Sequence, residues 1–520
     1  MKVSLRRILP ALLLALIVVP ALGQELDEAS FEKRITVKKL ENGLTIVVMQ
    51  RTEAPVFSFY TVVDAGSAQD PLGSTGLAHM FEHMAFKGTT AIGTRDWRAE
   101  KAALEKVEET YAAYRAERYK TVGRDDNKVK RLEDGDNKVK KLEEAWKAAM
   151  AQAQQYVVPN EFDELLESNG GRGVNAFTNW DETAYHYSLP ANRVQLWAYL
   201  ESERFLHPVM REFYKERDVV VEERRMRTDS QPIGRLVEQF LGESFVTYPY
   251  HRPTIGYISD LYYFSATDAK NFFDEYYVPS NMVVAIVGDV KPEEVLPLAE
   301  KYFGRLPTRP QPAPVHTAEP AQRSEREVEL RETAQPFYLE GYHRPNYRDP
   351  DDAVYDAITD LMSNGRTSRL FRALVRDQKI AAEAEGFSGF PGTKYAHLFA
   401  FDATPLPGHT PDEMRDAIHK EIDRLKTTDV SDEELRMVKT RAKANLIRGL
   451  ADNAGMAFQL ALYQLRYGDW RELFYSVDRI DKVSKEDIRR VANKTFQPTN
   501  RTLGIISTIP GANPQGAKEQ

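Results

Sequence analysis

The 520-residue chain contains no cysteine. That single absence excludes disulfide frameworks, thiolate zinc sites, iron–sulfur clusters and cysteine nucleophiles. Histidine is also scarce, at 10 residues, so any metal must be held by imidazole and carboxylate, and two neighbouring histidines carry meaning. Basic charge is not in excess: 70 Lys and Arg face 78 Asp and Glu, a net charge of −8, which argues against a sequence-wide grip on nucleic acid. Beyond the first residues there is no apolar run long enough to span a membrane as a helix. What is present is a globular composition, 42% hydrophobic and 28% charged, with room for roughly two to four domain cores.

Residues 1–23, MKVSLRRILPALLLALIVVPALG, place Lys2, Arg6 and Arg7 before an apolar stretch and end on Ala21 and Gly23 in a small-x-small pattern. This reads as a secretory signal peptide. A retained anchor is the alternative reading, but the run is short and contains Pro10. The mature chain is therefore expected to be exported, to the periplasm, the cell envelope or the medium, without a transmembrane span.

Alternating apolar and polar residues on either side of Asn42-Gly43 predict a β-hairpin. Residues 57–63 predict a third strand and residues 77–87 a helix, the opening of an α+β domain. Residues 101–155 are rich in charge of both signs, with narrow apolar stripes at Leu104, Val107, Tyr111 and at Val139, Leu142, Trp146, Met150. They predict two antiparallel helices joined near Gly123–Gly135, either a solvated structural arm or a clamp for substrate or partner. The proline-rich stretch near residues 307–325 predicts an extended linker. Beyond it, strands at 326–342, helices at 353–364 and 369–376 and a closing strand at 503–509 suggest that the second half repeats the element order of the first.

The sequence GLAHMFEHMAFKGT brings His79, Glu82 and His83 within five residues. Residues four apart lie one above the other on a helix, so both imidazoles can address one point, as zinc requires, with Glu82 beside them to take a proton from water. A catalytic zinc keeps three protein ligands, so a third must come from elsewhere. In YKERDVVVEERRMR, Glu216 and Glu223 are two helical turns apart on one face while Glu222 points aside. Taken alone, such a helix is equally a solvated acidic face.

The motif in its context, GSAQDPLGSTGLAHMFEHMAFKGT, resembles the pitrilysin family of zinc metallopeptidases, which includes insulin-degrading enzyme and mitochondrial processing peptidase. Further matching stretches are GGRGVNAFTNWDETAYHYSLP, ERDVVVEERRMR, HRPTIG, VAIVGDVKPEEV and NGRTSRLFRALVRDQ. The resemblance implies two homologous halves, each a mainly antiparallel sheet packed with helices: an N-terminal zinc-bearing peptidase domain over residues 24–306, the linker 307–325 and a C-terminal peptidase-like domain over residues 326–520. It makes His79, His83 and Glu223 the ligands of Zn2+, Glu82 the general base and Glu216 a companion acid near the site. Glu223 follows His83 by 140 positions where the family pattern has about 75, and the charged hairpin, an insertion at about 101–160, accounts for the difference.

The resemblance also assigns Asn175, Ala176 and Phe177 to an edge strand that pairs with an extended peptide; a free edge offers the unpaired backbone groups this needs. It further implies an Arg and, six or seven residues later, a Tyr in the second half. Arg376 suits the first, but the Tyr position falls on Ala382. The expected protein is thus a zinc endopeptidase for unfolded or short peptides, working as a homodimer or as a heterodimer with a second family chain that supplies the Arg-Tyr pair. Its rivals are a non-catalytic peptide-binding subunit and a protein in which zinc is only structural.

Overall fold

The computed structural model describes residues 31–120 and 137–509. The expected signal peptide and the turn expected at Gly123–Gly135 lie outside the described residues. No described helix is long and apolar enough to cross a membrane.

The first half opens with β1 (Ile35–Lys39) and β2 (Thr45–Gln50), an antiparallel hairpin. Gly43 turns it with φ +99°, a left-handed conformation suited to glycine. With β3 (Val56–Val63), β4 (Arg172–Thr178), β5 (Thr183–Pro190) and β6 (Met282–Gly288) these form one sheet in the order β1-β2-β6-β3-β5-β4. The second half builds β7 (Arg326–Glu332), β8 (Phe337–Arg344), β9 (Ala381–Phe390), β10 (His397–Pro405) and β11 (Arg501–Thr508) into the order β7-β11-β8-β10-β9. The two orders superpose strand for strand once β1 is set aside. Even the parallel contacts correspond: β2 runs parallel to β6, and β7 to β11, while the remaining neighbours are antiparallel. The fold is thus α+β with two related halves.

Each sheet buries one face under helices of its own half and the other under a helix borrowed from its neighbour. Helix Pro232–Ser244 of the first half packs on β7 and β11, and helix Asn453–Tyr467 of the second packs on β3 and β6. Leu236 and Phe240 accordingly share a cluster with Leu339 and Ile506, and Met456 and Leu460 share one with Val47 and Val283. This exchange makes separate folding of either half unfavourable, because each would expose an apolar sheet face to water.

The charged hairpin expected near 101–155 consists of helices Trp97–Arg118 and Asn137–Gln154. Its apolar stripes do not face solvent at the root. Tyr111 and Trp146 pack on Tyr214, at ring-centroid separations of 4.3 and 5.1 Å. Between them lies the Arg217 guanidinium, 5.1–5.8 Å from the rings of Tyr111, Trp146, Tyr214 and Tyr262. Glu100 at the start of the hairpin holds Arg211 through bonds of 2.5 and 2.8 Å, with both side chains almost fully buried. The hairpin is thereby bolted to the back of the helix that carries Glu216 and Glu223.

Candidate metal centre

The helix Leu77–Met84 follows β3, one of the two central strands of its sheet. Leu77, Ala78, Met80, Phe81 and Met84 are buried, which fixes the helix rotation and leaves Glu82 and His83 on the partly open side. Its entry is made by Gly76, with φ +93°, where a Cβ would stand 2.7 Å from the Ile255 carbonyl oxygen. Asp70 satisfies the free N-terminal donors, accepting bonds from the N–H groups of Gly76 at 2.7 Å and Ala78 at 2.9 Å. Arg252 in turn donates to the Asp70 carbonyl at 2.6 Å.

The helix Phe213–Arg224 lies against it and presents Glu216 and Glu223 on one face, while Glu222 points out to pair with Arg225. His79 Nε2 is 3.7 Å and His83 Nε2 3.5 Å from the Glu223 carboxylate oxygens. His83 Nδ1 meets Glu216 at 3.0 Å, and Lys87 Nζ meets the other Glu216 oxygen at 2.5 Å. One ligand atom from each of His79, His83 and Glu223 lies within 4.8 Å of the other two. Bonds of about 2.0–2.1 Å at tetrahedral angles separate neighbouring ligand atoms by roughly 3.3–3.4 Å, so the two contacts to Glu223 are already near the span that zinc demands. The donor set, two imidazoles and a carboxylate with no thiolate, is that of a metal site with a position left for a fourth ligand. These residues fit a zinc ion.

The electrostatics set the two imidazoles apart. Burial, aided by the neighbouring His83, lowers the His79 pKa to about 4, which keeps this imidazole neutral and able to ligate. Burial alone would also lower His83, but hydrogen bonds to Glu216 and Glu223 outweigh it and raise the pKa to about 9. Burial tends to raise Glu216, yet its bonds to His83 and Lys87 bring it down to about 2. The Glu216–His83 contact has the geometry of a carboxylate–histidine pair, which elsewhere orients metal-binding imidazoles. Glu82 is raised, chiefly by burial and against the hydrogen bond it receives from Thr178.

Three side chains at the site escape a reading of the sequence by motif. Thr178, the last residue of β4, donates a 2.6 Å hydrogen bond to Glu82 Oε2. Lys87 follows His83 by four residues and Arg227 follows Glu223 by four, and Arg227 reaches the Glu223 carboxylate at 2.5 Å. The i, i+4 relation was available as a signal for Arg227, whereas Lys87 lies past the end of its helix and meets Glu216 only through the tertiary fold. For Thr178 the only signal was its place next to Asn175, Ala176 and Phe177.

Those three residues lie on β4, the outermost strand of the first sheet. The Phe177 ring packs 5.8 Å from that of Phe458 on the borrowed helix, so its backbone rather than its side chain is what the free edge offers. Arg376 sits in the turn Phe371–Asp377, paired with Asp377 at 2.6 Å, and Ala382 is exposed near the start of β9. Neither is brought to the His–His–Glu cluster.

This constellation, two homologous α+β halves with an inverted His-x-x-Glu-His helix and a distant glutamate, has counterparts among known proteins. The family model for insulinase, peptidase family M16, matches residues 46–120, and that for the peptidase M16 inactive domain matches residues 263–442. Both halves of the chain thus resemble the M16 peptidase family.

It is 28% identical to zinc protease PqqE of Helicobacter pylori over 508 residues, covering 95% of this chain and 97% of that one. A solved protease structure from Helicobacter pylori superposes with a TM-score of 0.74 at 24% identity, over 91% of this chain and 99% of the other. The periplasmic protease PqqL from Escherichia coli has a TM-score of 0.65 at 19% identity; the match takes in 93% of this chain but 48% of that one. These structures share the fold.

Proposed function

We propose that the protein is an exported zinc endopeptidase that hydrolyses unfolded or short peptides. The observation that carries this reading is the convergence of His79, His83 and Glu223 on one point, with Glu82 beside them and the free edge of β4 reached through Thr178. A peptide added to that edge in extended form would be read through its backbone, which suits unfolded chains and not folded ones. A zinc ion held by His79, His83 and Glu223 supplies a Lewis acid, acidifying water and polarising the scissile carbonyl.

The remaining work belongs to the chain itself. Glu82 accepts the proton of the attacking water and returns it to the leaving amine, a task aided by a pKa moved up toward the working range. Thr178 holds one Glu82 oxygen so that the other faces the reacting atoms. Glu216 fixes the His83 ring, and the neutral His79 keeps a lone pair for the metal.

The absence of a Tyr at Ala382 supports a second element of the proposal: the active assembly includes another chain, a second copy or a different family member, that completes the substrate site. Export to the periplasm or envelope rests on the leader-like residues 1–23 and on the likeness to a protease described as periplasmic. The test is peptide hydrolysis before chelation, after it and after addition of zinc, with the chain alone and with a candidate partner. Loss and recovery with the metal support the proposal. Hydrolysis indifferent to chelation would overturn it.

A further inference from the structure

The second half holds a cavity at the place where the first holds its His–His–Glu cluster. Helix Asp352–Ser363 follows β8 as helix Leu77–Met84 follows β3, and the two share a pattern of burial: Ala78 and Tyr355, Phe81 and Ile358, Met84 and Leu361 are buried at the same steps. Each is followed by a glycine of left-handed conformation, Gly88 at φ +86° and Gly365 at φ +75°. In this register His79, Glu82 and His83 correspond to Asp356, Thr359 and Asp360. Helix Asp432–Gly449 takes the place of helix Phe213–Arg224, packed against the front of the pair in both halves.

The polarity of the contact has been exchanged. Where Glu216 binds His83, Arg441 binds Asp360, with Nε at 2.8 and 3.0 Å from the two carboxylate oxygens and a further bond of 2.5 Å from its terminal nitrogen. Asn364 adds another at 2.5 Å. Asp360 is therefore fully engaged. Asp352, one turn before Asp356, is paired with Arg344. Asp356 forms no hydrogen bond or ion pair with any described residue, and it lines a cavity of about 290 Å³ with Asp360, Asn445, Tyr463, Leu446 and Ile480.

That volume sits at the lower end of the ~300–1,000 Å³ range of small-ligand pockets, suited to a side chain or a short amine. Solvent reaches Asp356 through the cavity, yet burial within the surrounding protein and the nearby Asp352 raise its pKa to about 7. Arg344 and Arg479 lie near enough to lower that pKa, but neither pairs with Asp356, so a cation entering the cavity gains an unbonded carboxylate. Apolar walls at Leu446 and Ile480 suit an aliphatic stem, and Tyr463 adds an aromatic side chain to the lining. A metal is the poorer occupant: among the described residues, the side chains grouped closely enough to hold one are His79, His83 and Glu223.

We infer that this cavity binds an aliphatic ammonium or guanidinium group through Asp356, carried by a free amine or by a basic side chain of a peptide. The site is separate from the peptidase cluster and stands or falls independently of it. The test is calorimetric titration of the full-length, zinc-loaded protein with agmatine, and with butylurea as a neutral counterpart. One saturable site for agmatine is expected, at least tenfold weaker in Asp356→Asn, with the unfolding temperature of that variant unchanged and the affinity the same in Glu82→Gln.

A peptide bearing one Arg, compared with the same peptide bearing citrulline, separates the two sources. Displacement of agmatine by the Arg peptide alone assigns the site to a substrate side chain, and displacement by neither assigns it to free amines. No saturable agmatine binding, equal binding of butylurea, or equal affinity in Asp356→Asn would overturn the inference.

Discussion

The two halves of the chain differ most where they are most alike in backbone. After β3 the helix presents His79, Glu82 and His83 to a facing helix rich in acid, and after β8 the corresponding helix presents Asp356, Thr359 and Asp360 to a facing helix that answers with Arg441. In the first half the negative groups surround imidazoles, a combination that draws a divalent cation. In the second, one carboxylate is neutralised by a guanidinium and none of the donors is an imidazole. One scaffold thus supports two chemistries, decided by a handful of side chains on a single helix face. The halves are also unequal in support, since the hairpin that braces the Glu216–Glu223 helix through Glu100 and Arg211 is an addition to the first alone.

The largest effect should come from making the first half resemble the second. His79→Asp with His83→Asp is expected to abolish zinc binding and peptide hydrolysis together, read by metal analysis and a fluorogenic peptide; retained zinc would mean that the cluster is not the metal site. Next comes the brace. Glu100→Gln leaves Arg211 buried without its ionic partner and should cost about 3–5 kcal/mol of stability, measured by denaturant unfolding, where an unchanged midpoint would remove the hairpin root from the account.

Thr178→Val should lower kcat by roughly 10- to 100-fold, the worth of a hydrogen bond to a charged group at about 1.5–3 kcal/mol. Zinc content and KM should hold, and Thr178→Ser should recover most of the rate. Equal losses in the Val and Ser variants would contradict a role for the hydroxyl.

The smallest effect tests the facing helix of the second half. Burial would raise Glu434, but Arg369 and the Ser431 N–H bring its pKa down to about 2 from the ordinary 4.5. A depressed carboxylate adds stability above its unfolded pKa and loses it as the pH falls toward the folded value. Glu434→Gln should therefore lower the melting temperature modestly at pH 7, by an amount that shrinks between about pH 4.5 and 2. A difference that stayed constant with pH would exclude this ion pair as its source.

Much of the site was legible because it is local. His79, Glu82 and His83 are ordered by a single helix, and Glu216 and Glu223 by another, so helical periodicity places each group on one face before any tertiary contact is known. That the two faces meet came from the family resemblance, not from spacing. The repeat of element order was suggested only in part, by the opening strands and helices of each half, while β9 and β10 went unread.

The exchange of helices Pro232–Ser244 and Asn453–Tyr467 was not legible. Neither segment was singled out in the sequence, and which sheet an apolar stripe covers depends on chain geometry across hundreds of residues. The hairpin was recognisable as two charged helices, but the enclosure of Arg217 by Tyr111, Trp146, Tyr214 and Tyr262 needs three separate segments to converge. Thr178 was hidden for a similar reason: its hydroxyl gains a role only when the end of β4 meets the helix of Glu82.

The most direct test of the central claim is a paired measurement on Glu82→Gln: zinc stoichiometry and single-turnover peptide hydrolysis, in the same assembly as the unaltered chain. Zinc should remain at one per chain while the rate falls by about 100- to 10,000-fold, the range contributed by a general base. Hydrolysis at the unaltered rate, with zinc still bound, would contradict the assignment of Glu82 and with it the proposed chemistry of the site.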